Sequence, residues 1–244
     1  MNTLVVSLTR ALSKLSYCSR SQAAKLIDAG RVTVDGTIVT DPTRRVNLHR
    51  DTIAVDGVPL KPPREHIYIL LNKPRGYVVS RCGDRNSQTV FDLIKHEQTP
   101  HLVPVGRLDK ASEGMLLLTT DTLWADRLTG PDAHVPKVYH VQIHGKLSAV
   151  AFDQLRAGIT NGGELLKAAA VSVLRDGLRN QWLSITLTEG RNRHVRRMLA
   201  TLGFDVLRLV RVQIGSLTLG DLPKGAWRLL SSDEQQLASR TDMA

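Results

Sequence analysis

The 244-residue chain reads as an α+β protein in two parts. A small helix-helix-hairpin unit comes first, and a larger mixed unit of many strands and few helices follows. Three observations carry this reading. Apolar residues recur at helical spacing before Gly30 and then give way to short alternating runs. A proline pair, Pro62-Pro63, next interrupts both kinds of pattern. Beyond it, strand-like runs predominate, and the few helical patterns are scattered rather than alternating with strands as a doubly wound sheet requires.

In the first unit, residues 7–60, Leu8, Ala11, Leu12 and Leu15 lie at helical spacing. Ser19, with Gln22 three positions on, has the form of a capping box, and Gly30 has the form of a helix stop. Ala23, Ala24, Leu26 and Ile27 give this second helix its apolar side. Arg31 to Thr40 makes two alternating runs about Asp35-Gly36, a strong hairpin signal, and a strand from Thr52 to Val55 ends at Asp56-Gly57. Residues 61–65 read as a linker.

The second unit, 66–236, opens with a strand over His66–Leu71 and a basic turn, Asn72-Lys73-Pro74-Arg75-Gly76. Helices are expected at Thr89–Lys95, Leu123–Leu128, Ser148–Ala157 and within the run from Thr188 to Leu199. In that last run Val195, Met198, Leu199 and Leu202 mark a buried face. Strands are expected at Met115–Thr119, Lys137–His144, Leu166–Leu174, Trp182–Leu187 and Val206–Val212. Residues 237–244 are polar and read as a frayed tail.

Composition narrows the function. Aromatics are only 4%, so the core is aliphatic. Lys and Arg outnumber Asp and Glu by 33 to 23, which points to a polyanionic partner, nucleic acid before a membrane surface. No apolar run approaches the roughly 20 residues that span a bilayer. Met1 to Val6 lacks the basic start of a signal peptide, so a cytoplasmic protein is expected. The two cysteines, Cys18 and Cys82, are far apart and read as reduced, incidental thiols. His140 and His144 fall on an alternating run, where four residues of strand separate them by about 13 Å. No metal is expected. No strand-to-helix turn carries a glycine-rich phosphate loop, which argues against ATP, GTP or NAD as cofactor.

One loop stands out. Arg107 to Ser112 holds two cations, a carboxylate and a hydroxyl, flanked by Gly106 and Gly114 and followed at once by a buried apolar run. A carboxylate at the mouth of a buried strand, with cations around it, is a candidate reactive group. Taken alone it reads first as a solvated surface turn.

Longer motifs decide between these readings. Leu8-Thr9-Arg10-Ala11-Leu12, Ser19-Arg20-Ser21-Gln22-Ala23 and the run from Leu26 to Gly36 resemble the small RNA-binding module named after ribosomal small-subunit protein four. Gly106 to Asp121, Lys137 to Val141 and Glu189 to Met198 resemble, in order, three motifs of the ribosomal RNA pseudouridine synthases, in their RsuA-type branch. Ile214 to Arg228 is similar to that branch's closing segment, so the resemblance spans nearly the whole chain. His194 stands where the branch commonly has Gln, and Ser112 where Thr is common.

The resemblance implies a pseudouridine synthase fold with a mixed, mainly antiparallel sheet and flanking helices. It also implies isomerisation of uridine in ribosomal RNA, without a cofactor, by a cytoplasmic monomer. Asp109 would be the essential carboxylate, either attacking covalently or removing a sugar proton. Arg191 would be its counter-ion, and Tyr139 would stack on the extruded uracil. Arg107 would contact the RNA backbone or fill the vacated space, and Lys137 belongs to the second motif. Arg193, Arg196 and Arg197 would form a phosphate-binding helix face, with Val195 packing near the base. Lys73, Arg75 and Arg85 would extend the basic track. In the first unit Arg10, Lys14, Arg20, Lys25 and Arg31 would meet RNA phosphates, although each alone reads as a solvated cation. The run from Asn180 to Arg193 leans toward large-subunit RNA. A non-catalytic RNA-binding or ribosome-assembly factor of the same fold is the competing class.

Overall fold

The computed structural model describes residues 5–61, 65–80, 87–94, 101–130 and 132–241. Arg85, Cys82, Lys95 and the proline pair lie outside them. The chain forms two compact units, one of residues 1–67, 96–103 and 119–124, the other of 68–95, 104–118 and 125–244.

The first unit runs β1 (Val5–Ser7), α1 (Leu8–Lys14), α2 (Arg20–Asp28), β2 (Val32–Val34), β3 (Thr37–Ile38), β4 (Arg45–Asn47), β5 (Ile53–Val55) and β6 (Val58–Pro59). Ser19 accepts from the Gln22 amide while the Gln22 side chain caps the Ser19 amide, so two helix-end donors are satisfied reciprocally. At the far end Gly30 adopts φ 68°, its amide bonds Ile27 and the Arg31 amide bonds Leu26. This left-handed stop closes the last turn of α2. Asp35-Gly36 and Asp56-Gly57 each place two successive residues at positive φ, the backbone a two-residue hairpin needs. The strands order β3-β2-β5-β6, with β1 paired to β4. Leu8, Leu12, Ile27, Val32, Val46 and Ile53 close the core between helices and sheet.

The second part of the chain runs β7 (Tyr68–Lys73), β8 (Val103–Val105), β9 (Glu113–Thr119), α3 (Thr122–Thr129), β10 (Lys137–His144), α4 (Ala149–Ala157), β11 (Ile159–Asn161) and β12 (Glu164–Leu166). It continues with β13 (Ala170–Asp176), β14 (Asn180–Leu187), α5 (His194–Thr201), β15 (Val206–Ile214), β16 (Leu217–Thr218), β17 (Trp227–Leu229) and α6 (Ser232–Ala238). Its main sheet orders β13-β14-β10-β15-β9-β7-β17, with β16 beside β15 and β8 beside β9. The β15–β9 pair is parallel, while β13–β14, β14–β10, β10–β15 and β7–β17 are antiparallel. This is the mixed, mainly antiparallel α+β fold the sequence predicts. β14 alternates, burying Gln181, Leu183, Ile185 and Leu187, whereas β9 is buried throughout because strands flank it and both faces are covered. Leu155 of α4 and Met198 and Leu199 of α5 pack on Val141, Ile143, Leu183 and Ile185.

Three expectations shift. The strand expected over Leu166–Leu174 is two strands, because Lys167 to Ala169 leave the run. The Ala168 amide bonds the Leu155 carbonyl at the end of α4, and Ala168 itself is buried. Of the helix expected over Thr89–Lys95, the described residues form a single 3₁₀ turn, Val90–Leu93. Leu237 and Ala238, expected in a frayed tail, belong to α6, which has its own Ser231–Glu234 capping box and buries Ala238 completely. Among the described residues no helix is long and apolar enough to cross a membrane.

Candidate active site

The loop from Gly106 to Ser112 connects β8 to β9 and lies on a cavity of about 660 Å³. That volume is within the ordinary range for small-ligand sites. The loop is held by its backbone. Lys73, fully buried, donates from Nζ to the carbonyls of Asp109 (3.1 Å), Ser112 (2.7 Å) and Pro74 (3.2 Å). The Ser112 amide bonds Asp109 O, the Gly76 amide bonds Lys110 O, and Arg196 Nη2 reaches Ala111 O at 3.3 Å. The loop enters β9 at Gly114, with φ 98°. A Cβ there would lie 2.3 Å from Arg211 O and 2.8 Å from Arg211 N, both backbone atoms of β15. Gly114→Ala is expected to cost roughly 2–4 kcal/mol, from overpacking against backbone and a forced positive φ, read as a fall in melting temperature.

The Asp109 carboxylate stands in the cavity with its side chain 33% exposed. Among the described residues its nearest cation is Arg193, Nη1 to Oδ2 4.0 Å. Arg193 can reach it because it takes a left-handed conformation, φ 49°, as the residue capping α5. Arg191, expected as the counter-ion, is engaged elsewhere. Its Nε donates to Glu189 at 2.7 Å, and its Nη1 lies 3.7 Å from Glu164. A carboxylate two residues away and another at the start of β12 outcompete Asp109 for it. Arg196 is the more enclosed cation near Asp109. Burial pulls its pKa down, and of its charged neighbours Arg193 and Arg75 oppose its charge while Asp109 favours it. Its Nε has no partner.

Tyr139 sits on β10, opposite Ile185 of β14 and Arg211 of β15, half-buried against the core. With Leu187, Val195, Leu209 and Ile214 it gives the cavity an apolar wall, while Arg107, Lys137, Arg191 and Arg193 line it with cations. Arg107 is exposed and Val195 is buried. Arg75 is exposed and electrostatically close to Arg196.

Two residues expected to bind RNA are internal ties instead. Lys73 has no exposed surface, and burial pushes its pKa down to about 8. Arg197 donates to Asn161 Oδ1 (2.9 Å), Asn161 O (2.6 Å) and Glu164 Oε2 (2.5 Å), which leaves its guanidinium committed. In the first unit Arg10, Arg20 and Lys25 are exposed and Lys14 is half-exposed, while Arg31 forms a two-pronged pair with Asp56.

Sequence reasoning missed other participants. Glu113, at the head of β9, is buried. Burial would raise its pKa, but hydrogen bonds from Arg208 (3.0 and 3.1 Å) and Lys224 (2.5 Å) hold it down. A charged residue opening the apolar run Gly114 to Leu118 was the available signal. Arg211, buried in the cavity wall, had none. His194 is also buried, neither ring nitrogen has a partner, and burial lowers its pKa. Among the described residues no cluster of His, Cys, Asp or Glu is placed to hold a metal ion.

Comparison with known proteins finds relatives along nearly the whole chain. Residues 67–201 match the RNA pseudouridylate synthase family model, and 8–53 match the S4 domain. An uncharacterized RNA pseudouridine synthase of Aquifex aeolicus is 38% identical over 94% of this chain and 92% of its own length. The ribosomal large subunit pseudouridine synthase B of Salmonella typhi is 36% identical, covering 90% of this chain and 77% of its own. A crystal structure of a pseudouridylate synthase superposes with a TM-score of 0.68 at 29% identity, covering 96% of this chain and 99% of that one.

Proposed function

The chain belongs to the RNA pseudouridylate synthase family, and from that premise we propose that it converts a specific uridine of ribosomal RNA to pseudouridine, with Asp109 as the essential carboxylate. The observation that carries this reading is the meeting of Asp109, Tyr139 and a cationic lining in one cavity with an apolar wall. The reaction breaks the bond between ribose C1′ and uracil N1, turns the base, and joins C1′ to C5. The C5 proton is lost and N1 regains one, so atoms and electrons balance without an external reagent. A base stacked in a duplex cannot reach a recessed carboxylate, so the target uridine is extruded or already unpaired, at a cost of a few kcal/mol.

In this scheme the apolar wall, with Tyr139, holds the uracil face and excludes water while the base turns. Asp109 either attacks the nucleoside or takes a sugar proton. Arg193 and Arg196 set positive charge beside it, a role first expected of Arg191. Arg107, exposed at the loop, contacts the RNA backbone or fills the space the base leaves. The S4-type module grips structured RNA through its exposed cations, in a salt-dependent manner, and residues 61–65 join it to the catalytic unit. Large-subunit RNA is the favoured substrate, in keeping with the Salmonella typhi relative. The protein acts as a cytoplasmic monomer.

The test is a pseudouridine map of ribosomal RNA in cells lacking the protein, then in cells supplied with wild type or Asp109→Ala. One site should vanish, return with wild type and stay absent with the variant. Persistence of the modification with Asp109→Ala sinks the catalytic assignment. If neither form restores any pseudouridine, the assembly-factor reading takes its place.

A further inference from the structure

Arg211 is a buried cation with no carboxylate partner among the described residues. It is 4% exposed on β15 and lines the cavity. Its Nε donates to Met115 O at 2.8 Å, while its Nη2, also buried, has no partner. Among the described residues no carboxylate comes within the 4.0 Å of an ion pair with it. Arg197 pairs with Glu164, Arg208 with Glu113 and Arg228 with Glu234, and Lys73 has three carbonyls. Lys137 shares the anomaly. It faces the same cavity two residues before Tyr139 and makes one long bond, 3.3 Å, to Leu128 O. Burial first and the charge of Arg211 second oppose its own charge, lowering its pKa to about 8.

Two neighbouring cations withdrawn from water without an anion destabilise the fold unless an arriving ligand supplies the charge. We propose that Arg211 and Lys137 form a phosphate subsite in the cavity wall, and that it takes the phosphodiester adjoining the target nucleoside. This rests on the pseudouridine reading of the cavity. A flipped nucleotide swings in on its own backbone, so a phosphate accompanies the base. A guanidinium offers parallel N–H donors that match phosphate oxygens, and the ammonium adds a second point of charge. A uracil carbonyl would satisfy one N–H but would leave both charges uncompensated. Tyr139 lies directly across the ladder from Arg211, so base and phosphate would be gripped from adjacent strands.

The experiment compares binding of uridine, uridine 3′-monophosphate and uridine 5′-monophosphate by calorimetry. The proteins are wild type, Arg211→Lys, Arg211→Met and Lys137→Met, with melting curves checking each fold. Arg175→Gln, on exposed β13, controls for the loss of one charge. Wild type and the control should bind one monophosphate roughly ten- to a hundredfold more tightly than uridine, the scale of charge-assisted hydrogen bonds. The gap should shrink to within about threefold in Arg211→Met and Lys137→Met, with Arg211→Lys between. Should Arg211→Met fail to fold, Lys137→Met and Arg211→Lys decide. A gap unchanged in the variants, or absent from wild type, overturns the subsite. A wild type that shows the gap yet forms no pseudouridine in RNA sinks the enzymatic reading and leaves the subsite standing.

Discussion

Asp109→Asn should abolish pseudouridine formation while leaving fold and RNA affinity nearly unchanged. The expected fall in single-turnover rate is at least about 10⁴-fold, the scale seen when an essential nucleophile or base is removed. The structural cost is small because the loop is held through carbonyls rather than through the Asp109 side chain. Its ion pair with Arg193 is long at 4.0 Å, and such partly exposed pairs contribute about 0–1 kcal/mol. A melting temperature within a degree or two of wild type, together with the lost rate, is the expected pair of results. A variant that keeps a tenth of the rate rules out an essential carboxylate.

Lys73→Met should damage both stability and activity, for the opposite reason. It removes the donor shared by the loop carbonyls of Asp109 and Ser112 and by Pro74 O; Asp109 O keeps the Ser112 amide, while the other two lose this partner. Each unsatisfied carbonyl costs about 1–3 kcal/mol, partly offset because the ammonium itself no longer has to be desolvated. A net loss of roughly 2–3 kcal/mol is expected, with a rate loss of about 10²-fold from a misplaced Asp109. The offset has a pH signature. In the folded protein the Lys73 pKa is down to about 8 from 10.5, so the unfolded chain binds the proton more tightly. Stability from this residue is therefore highest above about pH 10.5, falls as pH drops toward 8, and is level below that. Denaturant unfolding of wild type and Lys73→Met should diverge further as pH rises from 8 to 10.5. Curves that stay parallel over that interval would contradict a desolvated ammonium.

Local signals in this chain were readable because their partners are local. Ser19 and Gln22, Gly30, Asp35-Gly36 and the full span of β10 all follow from neighbouring residues, and the structure has them where the patterns placed them. The loop carrying Asp109 was legible for the same reason, as a polar turn between glycines. What escaped depends on distant pairing. Arg211 meets Met115 across 96 residues and Arg208 meets Glu113 across 95, and no spacing rule reaches that far. Arg191, expected to face Asp109, pairs with Glu189 and with Glu164 at the head of β12, and the second of these cannot be seen from the turn before α5. Lys73 read as a surface cation in a basic turn, and only the sheet order shows that it ends a buried strand.

The tie between Lys73 and the loop, together with the insertion of β9 between β7 and β15, bears on when the protein becomes competent. Of the three, Lys73 emerges first in synthesis, the loop next and β15 last. A nascent chain lacking Val206–Ile214 has neither the strand against which Gly114 packs nor the wall that Arg211 and Leu209 supply. Long-range pairings of this kind form late because chain closure must precede them. On the proposed function, catalytic competence therefore arrives only once β15 has been made.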